Sequence, residues 1–162
     1  ALSLVGSEMC IRDRHYGHIA MSELANKELS EEVFFEICIQ NVDKPPLSYH
    51  QIKKTIDQFT DSKNWVLTKA GKFSDKAKLF PNSTFIIGAD TLVRIFDERF
   101  YASRREMMEE FEIFNANNNN FLVFGREYKN KFIELNDIQV PDSIKSRYRV
   151  FGENIYRKDV ST

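Results

Sequence analysis

His15-Tyr16-Gly17-His18 places two imidazoles three residues apart, with a glycine beside the second. At the start of a helix both can face a ligand. The exposed N–H groups and the dipole at such a terminus favour anions. Glycine lets a phosphate approach the backbone closely. Imidazole can donate hydrogen bonds to a developing charge without forming a covalent link. A four-residue pattern also arises as two incidental surface histidines. No third His, Cys or Asp is spaced to join them around a metal.

These residues need elements to hold them. Gly17 to Leu29 carries Ile19, Ala20, Leu24 and Ala25 at helical spacing. Glu32 to Val42 is rich in β-branched and aromatic residues and predicts a buried strand. Pro45-Pro46 ends it in a loop. Ser48 predicts the cap of a helix through Ile52, Ile56 and Phe59. Trp65–Thr68 reads as a strand, Ser74–Phe80 as a helix and Ser83–Ala89 as a buried strand. A helical stretch around Thr91–Ile95 comes next, and Ser103 can cap a helix through Met107, Phe111 and Phe114. The run Asn117–Asn120 breaks that helix and carries no evident chemistry. Phe121–Phe124 predicts a strand, Phe132–Leu135 another and Asp142–Tyr148 a weak helix.

Alternation of helices with near-continuous apolar strands predicts an α/β fold, a Rossmann-like doubly wound parallel sheet covered on both faces. Ligands then bind outside the carboxyl ends of the strands. The residues just beyond strands are Asp43-Lys44, Lys69, Asp90 and Gly125-Arg126. Asp90 could equally cap a helix. Lys44 and Arg126 also fit ordinary solvated positions.

Composition narrows the class without choosing a chemistry. Lys+Arg is 23 against 24 Asp+Glu in 162 residues, a net charge of −1. That balance argues against a general nucleic-acid or anionic-membrane binder. No apolar run approaches the roughly 18 residues of a membrane span. Fourteen phenylalanines argue against disorder. Two cysteines, Cys10 and Cys38, cannot build a disulfide scaffold or a four-ligand zinc site. The expectation is one soluble, cytoplasmic domain.

The ends read differently. Residues 1–14 show no stripe, no alternation and no cap that leads into the helix at Gly17. The string LVGSEMCIRDR resembles the conceptual translation of a transposon-end sequencing adapter. We therefore expect 1–14 to be a non-native, adapter-like tail and 15–162 to be the domain, as a fragment. The tail holds Glu8 and Asp13 against Arg12 and Arg14, so the charge of the remainder stays at −1. The first strand and the C-terminus of the fold are expected to be truncated.

Five pieces in order resemble one superfamily. His15-Tyr16-Gly17-His18 matches the H-x-G-H signature of the nucleotidylyltransferases. Phe85–Leu92, with Gly88-Ala89-Asp90, resembles the G-x-D motif of nicotinamide- and nicotinate-mononucleotide adenylyltransferases. Asn41–Leu47 is similar to the loop after their second strand. Phe121–Arg126 resembles their later strand ending in arginine. Asp159–Thr162 resembles the beginning of their S-T-x-x-R motif. The look is closest to the bacterial cytidyltransferase-like group related to these enzymes.

The resemblance implies transfer of AMP from ATP to a small phosphorylated acceptor, a mononucleotide, with release of pyrophosphate. His15 and His18 would be catalytic, contacting the triphosphate. Gly17, Lys44, Gly88, Asp90, Arg126, Ser161 and Thr162 would bind nucleotide, with Gly88 and Asp90 on ribose. Mg²⁺ would ride on the phosphates without a protein cage. No nucleic acid or membrane partner is expected. CTP in place of ATP, another acceptor, and a nucleotide-binding module without catalysis remain open. A class I aminoacyl-tRNA synthetase fragment shares the histidine logic, but neutral charge and the Gly88–Asp90 context speak against it. The family's Gly/Ser-Phe-x-Pro segment before H-x-G-H is not matched here: Asp13 and Arg14 stand there. The closing arginine is also absent. Pyrophosphate release from this chain with ATP and a mononucleotide is expected to be far slower than about 1 s⁻¹, an ordinary enzyme rate. A turnover near that value would contradict the expectation.

Overall fold

The computed structural model describes residues 2–5, 16–40, 45–59, 64–128, 131–133 and 140–151. Its centre is a six-stranded sheet, parallel throughout. In chain order the strands are β1 (Leu2–Val5), β2 (Glu32–Cys38), β3 (Trp65–Thr68), β4 (Ser83–Gly88), β5 (Asn120–Phe124) and, after a hairpin, β8 (Tyr148–Phe151). They lie in the order β3-β2-β1-β4-β5-β8. The order grows one way from β1 to β3 and the other way from β4 to β8. That reversal between β1 and β4 defines the switch point of a doubly wound Rossmann-like sheet.

The first strand, expected to be missing, is supplied by Leu2–Val5. It pairs in parallel with β2, Leu2 opposite Glu32 and Val5 opposite Phe35. It also pairs with β4, Leu2 opposite Ser83 and Val5 opposite Ile86. Sequence reading set this stretch aside with residues 1–14 and so assigned it no strand.

Helices α1 (Tyr16–Leu29) and α2 (Tyr49–Asp57) serve one face of the sheet. Met21, Ala25 and Phe59 pack there on Phe35, Ile37, Ile86, Leu122 and Phe124. Helices α3 (Phe73–Leu79), α4 (Ala89–Ile95) and α5 (Arg104–Ala116) serve the other. Phe73, Leu92, Phe111 and Phe114 pack there on Phe85, Ile87, Phe121 and Val123. Successive strand residues point to opposite faces. With both faces covered, Phe85-Ile86-Ile87 and Phe121–Phe124 must be apolar at every position. The phenylalanines form a chain of ring contacts, with Phe111 5.0 Å from Phe96 and Phe114 5.1 Å from Phe121.

Local chemistry sets the helix starts. Ser48 accepts from the Gln51 amide at 3.3 Å, and the Gln51 side chain accepts from the Ser48 amide at 2.9 Å. This is a full capping box. Ser103 accepts from the Glu106 amide at 3.2 Å and starts α5.

Some expectations are corrected. The strand from Glu32 ends at Cys38 rather than Val42, with 41–42 outside the described residues. Residues 126–128 (β6) and 131–133 (β7) form a two-stranded antiparallel hairpin. The weak helix at 142–148 is a 3₁₀ segment, Asp142–Arg147, and Tyr148 opens β8. The asparagine run does structural work at the amino end of the sheet. Asn118 takes φ 52°, a left-handed conformation that asparagine tolerates. The buried Asn119 side chain donates to the Phe80 carbonyl at 2.8 Å and to Ser83 Oγ at 3.0 Å. Arg147 donates to Asn115 Oδ1 at 2.7 Å and Asn118 Oδ1 at 2.9 Å.

One buried ion pair crosses from sheet to helix. Glu36 on β2 accepts from Lys76 Nζ of α3 and from the Thr68 hydroxyl on β3. Both charged side chains are buried, and Lys76 also lies 5.1 Å from the Phe73 ring centroid. Removing one partner leaves the other charge buried and uncompensated, which costs about 3–5 kcal/mol. Lys76→Met is therefore expected to destabilise the fold by that amount in urea unfolding. Glu36→Gln combined with Lys76→Met should regain most of it, because the amide oxygen still accepts from Thr68 and no charge stays buried. A double variant no more stable than Lys76→Met would refute this account.

Candidate functional site

The ladder fixes which residues share the carboxyl edge of the sheet. Val5 stands level with Ile86 of β4, and Gly88 stands level with Phe124 of β5. Helix α1 begins after β1, and α4 begins directly at Ala89. A doubly wound sheet takes its ligand outside this edge at the switch point, and the first turn of α1, the β4–α4 junction and Gly125 after β5 lie along it.

His18 lies in the first turn of α1 and is buried. Gly17 belongs to the same turn. Gly88 is the N-cap residue of α4, with extended backbone at φ −79° and ψ 157°. Asp90 is the second residue of that helix and half-buried, so the capping position belongs to Gly88. A carboxylate in the first turn is favoured by the helix dipole. The Asp90 side chain folds back over Gly88: a Cβ on Gly88 would stand 2.5 Å from Asp90 Oδ1. Glycine here is what leaves room for the carboxylate in that position. Gly125 is half-buried beyond β5, and Arg126 opens β6 opposite Ile133.

The structure therefore brings the backbone of Gly17 and Arg126, together with His18, Gly88 and Asp90, to one edge of the sheet. His15, Lys44, Ser161 and Thr162 lie outside the described residues. Among the described residues no three His, Cys, Asp or Glu side chains are grouped to hold a metal ion. Among them, too, no helix is long and apolar enough to cross a membrane.

No family model matches the chain, and no curated protein matches it. A solved structure does. It is the Plasmodium falciparum nicotinic acid mononucleotide adenylyltransferase complexed with NaAD. The match covers 93 % of this chain and 73 % of that one, at 17 % identity and a TM-score of 0.52. The likeness is one of fold. This chain has a Rossmann-like α/β architecture of the kind that nucleotidyltransferase uses.

Sequence reading missed a second feature of the carboxyl edge. Cys38 ends β2 and is buried, as its apolar setting implies, but its thiol is also hydrogen-bonded. Sγ–H lies 2.9 Å from the Gln40 carbonyl and 3.1 Å from the Ala70 carbonyl. The Ile39 amide donates to the Thr68 carbonyl at 2.8 Å, and the Leu47 amide to the Ile39 carbonyl at 2.9 Å. The segments that leave β2 and β3 are thereby tied to each other. Such bonds link residues far apart in sequence and leave no local pattern.

The Gly88–Asp90 contact generates a test. The clashing atom is the far end of a rotatable side chain, so Gly88→Ala should displace the carboxylate rather than the backbone. The cost in urea unfolding should stay within about 1 kcal/mol. The Asp90 side-chain carbonyl resonance should move in the ¹³C spectrum. A loss of about 3 kcal/mol with that resonance unmoved would mean that the backbone, not the carboxylate, gives way.

Proposed function

We propose that the chain is the nucleotide-binding portion of a nucleotidylyltransferase that transfers AMP from ATP to a nicotinate- or nicotinamide-mononucleotide-like acceptor. One observation carries the reading: His18 of the H-x-G-H segment and the Gly88–Asp90 pair fall on the same carboxyl edge, at the switch point of a doubly wound sheet. The fold likeness to a mononucleotide adenylyltransferase supports it.

In the proposed reaction an oxygen of the acceptor's phosphate attacks the α-phosphorus of ATP in line. A new P–O bond forms there, and the bond from α-phosphorus to the bridging oxygen breaks. Pyrophosphate leaves with that electron pair. Such chemistry is driven by positioning and charge stabilisation rather than by a covalent enzyme intermediate. His15 and His18 would donate hydrogen bonds to the triphosphate as charge moves onto the leaving group. Asp90 would accept from the ribose hydroxyls, with Gly88 allowing close approach. Gly17, Lys44, Arg126, Ser161 and Thr162 would contact phosphate. Mg²⁺ would arrive on the triphosphate, where it neutralises phosphate charge.

Thermal unfolding tests the reading. A ligand bound only by the folded state stabilises it by about 2.7 kcal/mol at one hundred times its Kd. ATP with Mg²⁺ should raise the midpoint of the chain by several degrees, and CTP at equal concentration should raise it less. His18→Asn should reduce the ATP shift. A shift with CTP and none with ATP would turn the reading toward a cytidylyltransferase. No shift with either would reject it.

A further inference from the structure

Strand β3 closes one side of the sheet, with β2 as its one neighbour among the described strands. In a parallel ladder alternate residues bond to the neighbouring strand. The Phe35 amide donates to the Asn64 carbonyl at 2.9 Å, and the Ile39 amide to the Thr68 carbonyl at 2.8 Å. The even-numbered residues of this stretch therefore bond to β2. The amide and carbonyl groups of Trp65 and Leu67 point the other way, out of the edge of the sheet.

The side chains follow the same alternation. Val66 packs against the aromatic core under α3 and α5, and Thr68 is buried. Trp65 and Leu67 project from the opposite face and are 38 % and 39 % exposed. Two apolar side chains and four outward backbone groups thus share one short edge. Outer strands ordinarily carry a charge, a proline or a bulge that blocks pairing with another chain. Trp65-Val66-Leu67-Thr68 has no charge and no proline, and it pairs with β2 residue for residue without a bulge.

We propose that this edge is an interface for a second copy of the chain, the two β3 strands pairing antiparallel across a two-fold axis. The strand is its own complement. With Val66 opposite the partner's Val66, Trp65 stands opposite the partner's Leu67 and Leu67 opposite the partner's Trp65. Both outward groups of each residue then meet both outward groups of the other, which makes four backbone hydrogen bonds. The paired side chains lie on one face of the joined sheet, so tryptophan covers leucine twice. A one-residue slip would set the side chains on opposite faces. This register alone matches the two outward residues of β3 with each other. A two-fold pair of identical edges is also the commonest symmetry of an assembly. Four residues at about 3.3 Å each make a seam of roughly 13 Å. Such a seam falls short of the about 800 Å² per partner of a standard interface, so the dimer is weak, forming at about 10–100 µM chain.

Sedimentation equilibrium of the full chain, from about 5 µM to about 1 mM, tests this. The weight-average mass should rise from that of one chain toward that of two. Leu67→Lys puts an ammonium against each tryptophan of the seam and should weaken association about tenfold or more. Its urea midpoint should stay at the wild-type value, because Leu67 is exposed. A second variant reads the register. Residues opposite each other at the axis have Cα atoms about 4.5 Å apart, within the span of a disulfide. Val66→Cys in a Cys10→Ser background, Cys38 being buried, should cross-link to itself under oxidised glutathione. Trp65→Cys in that background faces leucine instead and should cross-link about tenfold less. The proposal is overturned if the wild-type chain stays monomeric at about 1 mM. It is also overturned if Leu67→Lys associates like wild type, or if Trp65→Cys cross-links as readily as Val66→Cys.

Discussion

The sheet is continuous only if a strand fills the gap between β2 and β4, and four residues at Leu2–Val5 fill it. An unfilled gap there would leave two facing rows of N–H and C=O groups without partners in the middle of the molecule. Each such buried group costs about 1–3 kcal/mol, so the gap would outweigh the whole stability of an ordinary domain. The described residues of β1 pair as far as Phe35 and Ile86, and the first turn of α1 and the β4–α4 junction lie at the carboxyl edge of the same sheet.

The two faces of the sheet are held by different chemistry. On the α1–α2 face the contacts are apolar, with Phe35 and Phe59 rings 5.1 Å apart. On the other face an aromatic cluster lies beside the buried Glu36–Lys76 pair. Burial of rings is tolerant of small shifts, whereas an ion pair fixes one register of helix on strand. The pair thus joins β2, β3 and α3 at one point, and the thiol and amide bonds of Cys38, Ile39 and Ala70 extend that rigidity to the carboxyl edge. Residues that emerge there start from a fixed backbone.

The parts legible from sequence are those where one signal suffices. Ser83–Gly88 and Asn120–Phe124 are apolar at successive positions because both faces are covered. Ser48 and Ser103 mark helix starts because a hydroxyl at that position satisfies a free amide. Met107, Phe111 and Phe114 fall on one stripe and pack as one. Gly88 and Asp90 stood out by their place after a strand, and the close approach of carboxylate to glycine gives that spacing its physical reason. The unread parts depend on partners distant in the chain. Glu36 lies buried within an apolar strand, and its partner Lys76 is forty residues on. The run Asn117–Asn120 read as low complexity, yet bonds of Asn118 and Asn119 go to Phe80, Ser83 and Arg147. Strands β6 and β8 are short, so pairing rather than pattern defines them, while β7 at Lys131–Ile133 overlaps the strand expected from Phe132.

Residues that resemble an adapter can occupy the central strand because pairing makes few demands on side chains. Parallel ladders are built from backbone groups, which are identical in every non-proline residue. What the gap between β2 and β4 requires is an extended stretch without proline or charge. Leu2-Ser3-Leu4-Val5 meets that requirement whatever its origin. Backbone pairing thus accepts many sequences at this strand, whereas β4 and β5 accept only apolar side chains at successive positions because both of their faces are covered.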